Sequence, residues 1–422
     1  MKEQLKIDFN KIQEVANFSN RDIEIKKSYL NKFIENGFPN RKQENWKFLD
    51  INQIISNNIS DLSFYNDYSI ENKIDPSIFI DDLEHNKIIF INGRVEKIDF
   101  SYEDKKQIEI IEDSYTTDKS ENNNSLIDLN IALSNKHFKI LIKKGYSLKK
   151  PLIIYHLSNE KMKSKNINLR LDFELEQNSS LKLIDFFSDN SEKNFMNIFY
   201  NFNLDRDAIL KNYKIDKSLN KNLKYSFNNI DQKQNSISET FVFSAGSDYF
   251  KNEINCNLKG EYSSAFINGI FSLDDNKQHE IRTTINHLVE NTKSYQLIKS
   301  VLGKNTKSAY QGRIYVDSKA QKTDGYQLSK AILLDETSEF NAKPELEIYA
   351  DDVKCSHGST SGNLDQDSIY YLMTRGLSKK ESTNLLVESF LNEIIESIKS
   401  SSIRNFIKTK LEKSVTNEYK KH

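Results

Sequence analysis

The side chains that could do chemistry gather in one stretch, PELEIYADDVKCSHGSTSGNL, from Pro344 to Leu364. Cys355 is one of two cysteines in the chain and stands two residues before His357, one of seven histidines. Asp351 and Asp352 precede the pair, and Gly358 and Gly362 follow it. Thiolate and imidazole are ligands for soft metals and iron–sulfur clusters. C-x-H supplies two ligands at most, whereas structural zinc and the common clusters take four. Cys256 is the only other thiol, so one chain cannot complete a conventional cluster from cysteine. A cluster bound at this motif is therefore transient, or it shares its ligands with a second chain. The bland alternative is a buried thiol beside a turn-capping imidazole.

His279 and His287, in QHEIRTTINHL, are eight residues apart and so face the same side of a strand. Such a pair can hold a metal, but it is more often buried and hydrogen-bonded, and the structural reading is preferred. His85, His137, His156 and His422 have no ligand-like neighbours in sequence. There is no G-x-x-x-x-G-K-[ST], no G-x-G-x-x-G after a strand and no G-x-S-x-G. ATP hydrolysis by this chain, a dinucleotide fold and a hydrolase elbow are thereby disfavoured.

The elements that must position Cys355 and His357 follow from length and periodicity. A chain of 422 residues exceeds the roughly 100–200 residues of an ordinary domain, unless it is a solenoid. Its 60 Lys and Arg nearly cancel 61 Asp and Glu, which argues against a global nucleic-acid footprint. Apolar content is 37%, supplemented by the area of 25 Phe and 20 Tyr. The abundant Asn is read as composition bias. The charged start, MKEQLKIDFNK, has no apolar h-region, so no secretory signal is expected. No run approaches the ~18 apolar residues of a membrane span. Two distant cysteines fit a reducing, cytoplasmic setting.

Residues 1 to about 80 read as helical, with Ile12, Val15, Ala16 and Ile23 and then Tyr29, Leu30, Phe33 and Ile34 at helical intervals, stopped by Gly37 and Pro39. Trp46, the only tryptophan, reads as a packing anchor. From Lys87 the period becomes two, and Asn92-Gly93 predicts a hairpin. A short helix is predicted over 125–134. A long series of strand-like segments follows to ELEIYAD, with proline almost absent. Ser264-Ala265-Phe266 and Ser308-Ala309-Tyr310 suggest weak repetition at an offset of 44 residues. Sandwich, barrel and β-solenoid all fit, and the solenoid suits this length best. After Ile348 a Gly/Ser/Asn-rich turn is expected, then helices. Ser378-Lys379-Lys380-Glu381 spells a capping box. Leu386, Phe390, Ile394 and Ile398 repeat every four residues behind it, as a packing stripe or a docking face.

The segments KPELEIYADDVKCSHGS, QHEIRTTINH, KSAYQGRIYVDSKAQKTDG and GFPNRKQENWKF resemble the SufB/SufD family of the SUF iron–sulfur cluster assembly system. The resemblance is clear over about 280–400, visible near 37–48 and 125–157, and weak between about 160 and 250. It implies a mainly β protein: a right-handed parallel β-helix core over 86–350, between helical domains over 1–85 and 351–422. It implies pairing with a SufB-like scaffold through the β-helix ends, and docking of a SufC-like ATPase on the C-terminal helices. The Leu386, Phe390, Ile394 and Ile398 stripe matches that docking region. His357, with Cys355 beside it, would face the scaffold and help form a transient cluster shared with it, the chain itself being non-catalytic. Two other readings compete: a β-helix polysaccharide-active enzyme, and an autonomous metal-binding homodimer using Cys355 and His357 of two chains.

Overall fold

The computed structural model describes residues 2–16, 18–59, 61–65, 78–81, 83–113, 124–189, 191–216 and 222–418. His422 lies outside the described residues. Helices α1 (Lys2–Ala16), α2 (Asn20–Asn36) and α3 (Ile51–Asn58) open the chain. Strands β1 (Asn86–Ile91) and β2 (Arg94–Asp99) form the hairpin, with Asn92 and Gly93 both at positive φ, as a tight turn of this kind requires. Strand β3 (Ile108–Asp113), helix α4 (Ser125–Leu133) and strand β4 (His137–Ile142) follow.

Fifteen further strands run to residue 363. They are β5 (Leu152–Ser158), β6 (Asn166–Leu175), β7 (Ser180–Asp189), β8 (Phe195–Leu204) and β9 (Ile209–Asp216). Next come β10 (Leu223–Gln232), β11 (Ile237–Ser244), β12 (Tyr249–Leu258), β13 (Ser264–Leu273) and β14 (Gln278–His287). The last five are β15 (Lys293–Leu302), β16 (Lys307–Val316), β17 (Asp324–Leu333), β18 (Glu339–Ile348) and β19 (Lys354–Asn363). Helices α5 (Gln366–Thr374), α6 (Lys379–Glu396) and α7 (Ser401–Glu418) close the chain.

Consecutive strands from β4 onward alternate between two sheets. One sheet runs β19-β17-β15-β13-β11-β9-β7-β5-β1-β2 and the other β18-β16-β14-β12-β10-β8-β6-β4-β3. All neighbours are parallel except β1–β2 and β3–β4. The result is a mainly β fold, a parallel β-solenoid of about 8 turns with helical parts before and after it. Two strands make one coil. Tyr249 pairs with Gln278, and Gln278 with Lys307, a step of 29 residues each time. The 44-residue offset seen in the sequence is therefore no coil repeat, because Ser264 lies in one sheet and Ser308 in the other.

Alternate residues of each strand point into the lumen, where Phe173, Phe202, Ile254, Cys256, Ile285 and Ile298 belong to one apolar core. The outward faces are also largely covered. The N-terminal helices lie on the sheet that contains β8 and β10: all nine residues of α4 are buried, and Leu126 and Leu129 join Phe199 and Phe227 in one cluster. Trp46 is buried there, 5.3 Å from the Tyr225 ring, as a packing anchor should be. Lys26 Nζ donates to the carbonyls of Ile131 and Ser134 at the end of α4, where a cation complements the helix dipole. The C-terminal helices cover the other sheet. Val387, Leu391, Ile394, Ile395 and Ile398 share a cluster with Ile270, Leu297 and Val301.

Asparagine has structural work that composition bias does not describe. Asn178, Asn235, Asn276, Asn291 and Asn305 turn coil corners at φ between 53° and 60°, a region Asn tolerates better than most residues. On the outer face, Asn229 donates to Asn201 at 3.0 Å, Asn255 to Asn229 at 2.9 Å and Asn286 to Asn255 at 3.2 Å. One amide per coil builds a ladder across four strands.

Two expectations need correction. The turn expected after Ile348 is short, and Lys354–Asn363 forms β19, so helix begins at Gln366 and not at residue 351. The docking stripe is also largely occupied: Ile394 and Ile398 are buried against the solenoid, while Leu386 and Phe390 are partly covered. An apolar stripe on a helix packs wherever an apolar sheet face awaits it. The capping box forms as its spelling predicts, Ser378 Oγ accepting from the Glu381 amide and Glu381 from the Ser378 amide. Replacing Ser378 with Ala should cost about 1 kcal/mol of stability, read as a lower urea midpoint for the C-terminal helices.

Candidate functional site

β19 is an edge strand, with β17 on one side and no described strand on the other. Its register places Cys355 beside Gly325, His357 beside Gln327 and Ser359 beside Ser329. Ser329 and Gln327 are buried in the lumen, and Ser329 Oγ lies 3.0 Å from Ser359 Oγ. Parallel in-register strands stack like side on like side. Cys355, His357 and Ser359 therefore all face the lumen at its open end. The local sequence explains why this strand lies there: KCSHGSTSGN has no apolar residue to bury except Cys355, so only a final coil can accommodate it.

Cys355 is half-buried beside Ile314, Val316 and Leu346. Burial, with help from the Asp324 carboxylate, pushes its thiol up against one backbone hydrogen bond at Gly325. The resting side chain is thus a thiol and becomes a better ligand only when a metal displaces its proton. His357 is exposed and makes no side-chain hydrogen bond to the described residues. Asp351 and Asp352, expected near the pair, sit at the coil corner, where the Asp352 amide donates to Gln321 Oε1 at 2.9 Å. Among the described residues no three His, Cys, Asp or Glu side chains converge as a metal site. Cys355 and His357 are thus two adjacent donors at a mouth that other groups must complete.

β18 forms the opposite lip of this mouth. Every one of its residues is partly or fully exposed. Pro344 sits in its middle, on the edge where a missing N–H is tolerated.

The other candidates resolve into the core. His279 and His287 share a face, as their spacing predicts, and both are fully buried. His279 Nε2 donates to the Ser247 carbonyl at 2.6 Å, and Nδ1 lies 3.1 Å from Ser244 Oγ. His287 has Thr292 Oγ1 at 2.7 Å and Ser294 Oγ at 2.9 Å. Burial lowers both to about 4, so both rings are neutral near pH 7. Cys256 is also buried and its thiol is pushed up to about 12 by desolvation.

Sequence reasoning missed the partners of two other histidines. His137 Nε2 lies 2.8 Å from Asp172 Oδ2. His156 Nε2 lies 2.6 Å from Asp185 Oδ1, and Lys214 Nζ donates to Asp185 Oδ2 at 2.6 Å. Burial alone would raise the Asp185 carboxyl, but Lys214 and His156 hold it well below its ordinary range. The available signal was the coil step: His156, Asp185 and Lys214 are each 29 residues apart.

Known proteins resemble this chain in ways that fit the geometry. The curated relative "Iron-sulfur cluster assembly protein SufD" of Escherichia coli is 24% identical over 383 residues, 89% of each chain. A SufBD family protein of Synechocystis is 34% identical over 109 residues, 26% of this chain and 24% of its own. "Protein ABCI7, chloroplastic" of Arabidopsis thaliana is 34% identical over 113 residues, again 26% and 24%. Residues 156–390 match the family described as "SUF system FeS cluster assembly, SufBD core domain". That match takes in the solenoid from β5 to β19 and more than half of the chain, which belongs to the SufBD family of the SUF iron–sulfur cluster assembly system.

Proposed function

We propose that this chain is a non-catalytic, SufD-type subunit of a cytoplasmic complex that assembles iron–sulfur clusters. It pairs end to end with a SufB-like scaffold through β18 and β19, and it contributes His357, with Cys355 beside it, to a transient cluster at that junction. One observation carries the reading: two soft-metal ligands face the mouth of the solenoid on a strand with a free edge. Two donors cannot hold a cluster alone, and a free strand edge is a template for a second chain. The cluster is cargo, passed on rather than kept.

The C-terminal helices are the docking surface for a SufC-like ATPase. With Ile394 and Ile398 committed to the core, the contact falls on the exposed apolar residues Tyr370 (70% exposed), Tyr371 (56%), Met373 (43%) and Leu385 (46%). ATP turnover in that partner would drive the scaffolds and expose the junction, which answers the lack of any nucleotide motif here.

The test is co-expression with a SufB-like scaffold and a SufC-like ATPase, followed by pull-down and anaerobic reconstitution with wild type and His357→Ala. The expected result is an intact complex whose cluster absorbance falls at least tenfold in the variant. His357 is exposed at a strand edge, so its removal should change stability by less than about 0.5 kcal/mol. Normal cluster formation in the variant would remove the ligand role. No co-purifying partner would overturn the scaffold reading, and two chains sharing one metal would favour the homodimer.

A further inference from the structure

The outer face of the solenoid carries a cleft of about 490 Å³, a size that suits a small molecule. Its floor is Glu253 and Asn255 of β12, Arg282, Thr284 and Asn286 of β14, and Arg313 of β16. Residues 43–46 form a wall, and Phe227 and Asn124, the N-cap of α4, also line it. The wall is fixed to the sheet. Lys251 Nζ donates to the Asn45 carbonyl at 2.6 Å, Gln278 Nε2 donates to the Phe48 carbonyl at 2.5 Å, and Lys343 pairs with Glu44. The cleft is therefore preformed and needs no rearrangement to receive a ligand.

Three cations around it are already matched. Arg313 forks onto Glu347 through Nε at 2.8 Å and Nη2 at 2.5 Å. Lys343 reaches Glu345 at 2.7 Å as well as Glu44. Lys251 pairs with Glu280. Arg282 differs. Its guanidinium meets Glu253 only at 3.6 Å, beyond hydrogen-bond length, and it hydrogen-bonds to no described residue. Glu253 instead accepts from Tyr225 Oη through its other oxygen at 3.2 Å. The Arg282 side chain is 17% exposed, so its five N–H donors are largely withdrawn from water without a protein acceptor. Thr284, two residues along on the same face, is 8% exposed, and its Oγ1 has no partner either.

We propose that this cleft binds a small organic anion, its carboxylate or phosphate held by the Arg282 guanidinium and its body lying against Trp46 and Phe227. The rigid fork of a guanidinium matches the two oxygens of either group. A cationic ligand would face Arg282 and Arg313 together, and a neutral one would leave the Arg282 charge uncompensated in a half-dry site.

Trp46 is the only tryptophan of the chain and lines the cleft, so its fluorescence reports occupancy. The full-length chain is titrated at millimolar concentrations with phenyl phosphate, benzoate and phenol, with calorimetry as a second readout. Saturable binding of phenyl phosphate or benzoate, and none of phenol, is expected. The tighter of the two anions identifies the group as phosphate or carboxylate. Arg282→Gln should weaken binding about tenfold or more, the loss of one charge-assisted contact. Gln43→Glu sets a like charge on the wall, at an exposed side chain that makes no hydrogen bond, and should weaken binding without disturbing the fold. It decides the matter if Arg282→Gln does not fold. No heat and no fluorescence change with either anion overturns the site. Equal binding of phenol overturns the anion class. Full binding in a folded Arg282→Gln or in Gln43→Glu places the ligand elsewhere and overturns the assignment.

Discussion

Ile394→Asp should strip the C-terminal helices from the solenoid. Ile394 is fully buried between α6 and the outer sheet face, in one cluster with Ile270, Leu297, Val301 and Leu391. Truncating a buried isoleucine alone costs about 2–5 kcal/mol. An unpaired carboxylate in the same place adds a desolvation penalty that only protonation or undocking relieves. The cations near this seam do not help it: Lys299 already donates to the Phe390 carbonyl and to Glu393 at 2.5 Å. A loss of about 4 kcal/mol or more is expected, confined to α5–α7 because the coils beneath keep their own hydrogen-bonded ladders. Limited proteolysis should cut near Leu364 in the variant and leave the solenoid intact. Leu385→Asp, at a position 46% exposed, should change stability by less than about 0.5 kcal/mol while weakening the proposed contact with a SufC-like ATPase. An Ile394→Asp protein as protease-resistant as wild type would show that α6 does not pack as described.

Acid should destabilise the chain between pH 6.5 and about 4, well above the range where its paired carboxylates titrate. His279 and His287 have folded-state values lowered from 6.5 to about 4 by burial. In that window the unfolded chain binds two protons that the folded chain refuses, so stability is full above 6.5 and falls as pH drops. At about 1.36 kcal/mol per pH unit, the interval from 6.5 to about 4 is worth about 3 kcal/mol per histidine. Asp128 works the other way. Burial raises it from 3.8 to about 6, so its folded form gains a proton first and gains stability as pH falls. Asp185 is held far lower and Asp216 sits at about 2, so both act only below about 3.8. Urea midpoints measured from pH 7.5 to 4 should therefore slope downward. The slope should flatten in the His279→Gln, His287→Gln double variant and steepen in Asp128→Asn. A double variant with the wild-type slope would exclude the two histidines as its source.

The architecture was legible where the pattern is local. Helix spacing gave α1 and α2, Asn92-Gly93 gave the hairpin, and the period-two runs gave a solenoid, because each is a pattern among near neighbours in the chain. The last strand was not legible as a strand. Alternation arises when one face is buried, and β19 at the mouth buries almost nothing, so KCSHGSTSGN reads as a turn. The Cys355 and His357 motif stood out in the sequence, but its setting on an edge strand did not. His156 with Asp185 and Lys214 escaped notice for another reason: they meet across coils, and a scan of near neighbours passes over a 29-residue step. The stripe of α6 was visible, yet an apolar stripe does not say whether it faces the same chain or another.

The two ends of the solenoid are finished differently. At the N-terminal end each sheet finishes in an antiparallel strand, β2 or β3, whereas at the other end it finishes in a parallel one, β19 or β18, with no further described strand beyond. In a stack stabilised mainly by nearest neighbours, an uncapped terminal unit frays first. Amide exchange in the isolated chain should then quicken coil by coil toward residue 363, with β19 the least protected strand. Cys355 and His357, the proposed ligands, thus lie on the part of the molecule that is least permanent. A scaffold docking there would serve as the missing last coil, so that ordering the cluster ligands and completing the fold become a single event.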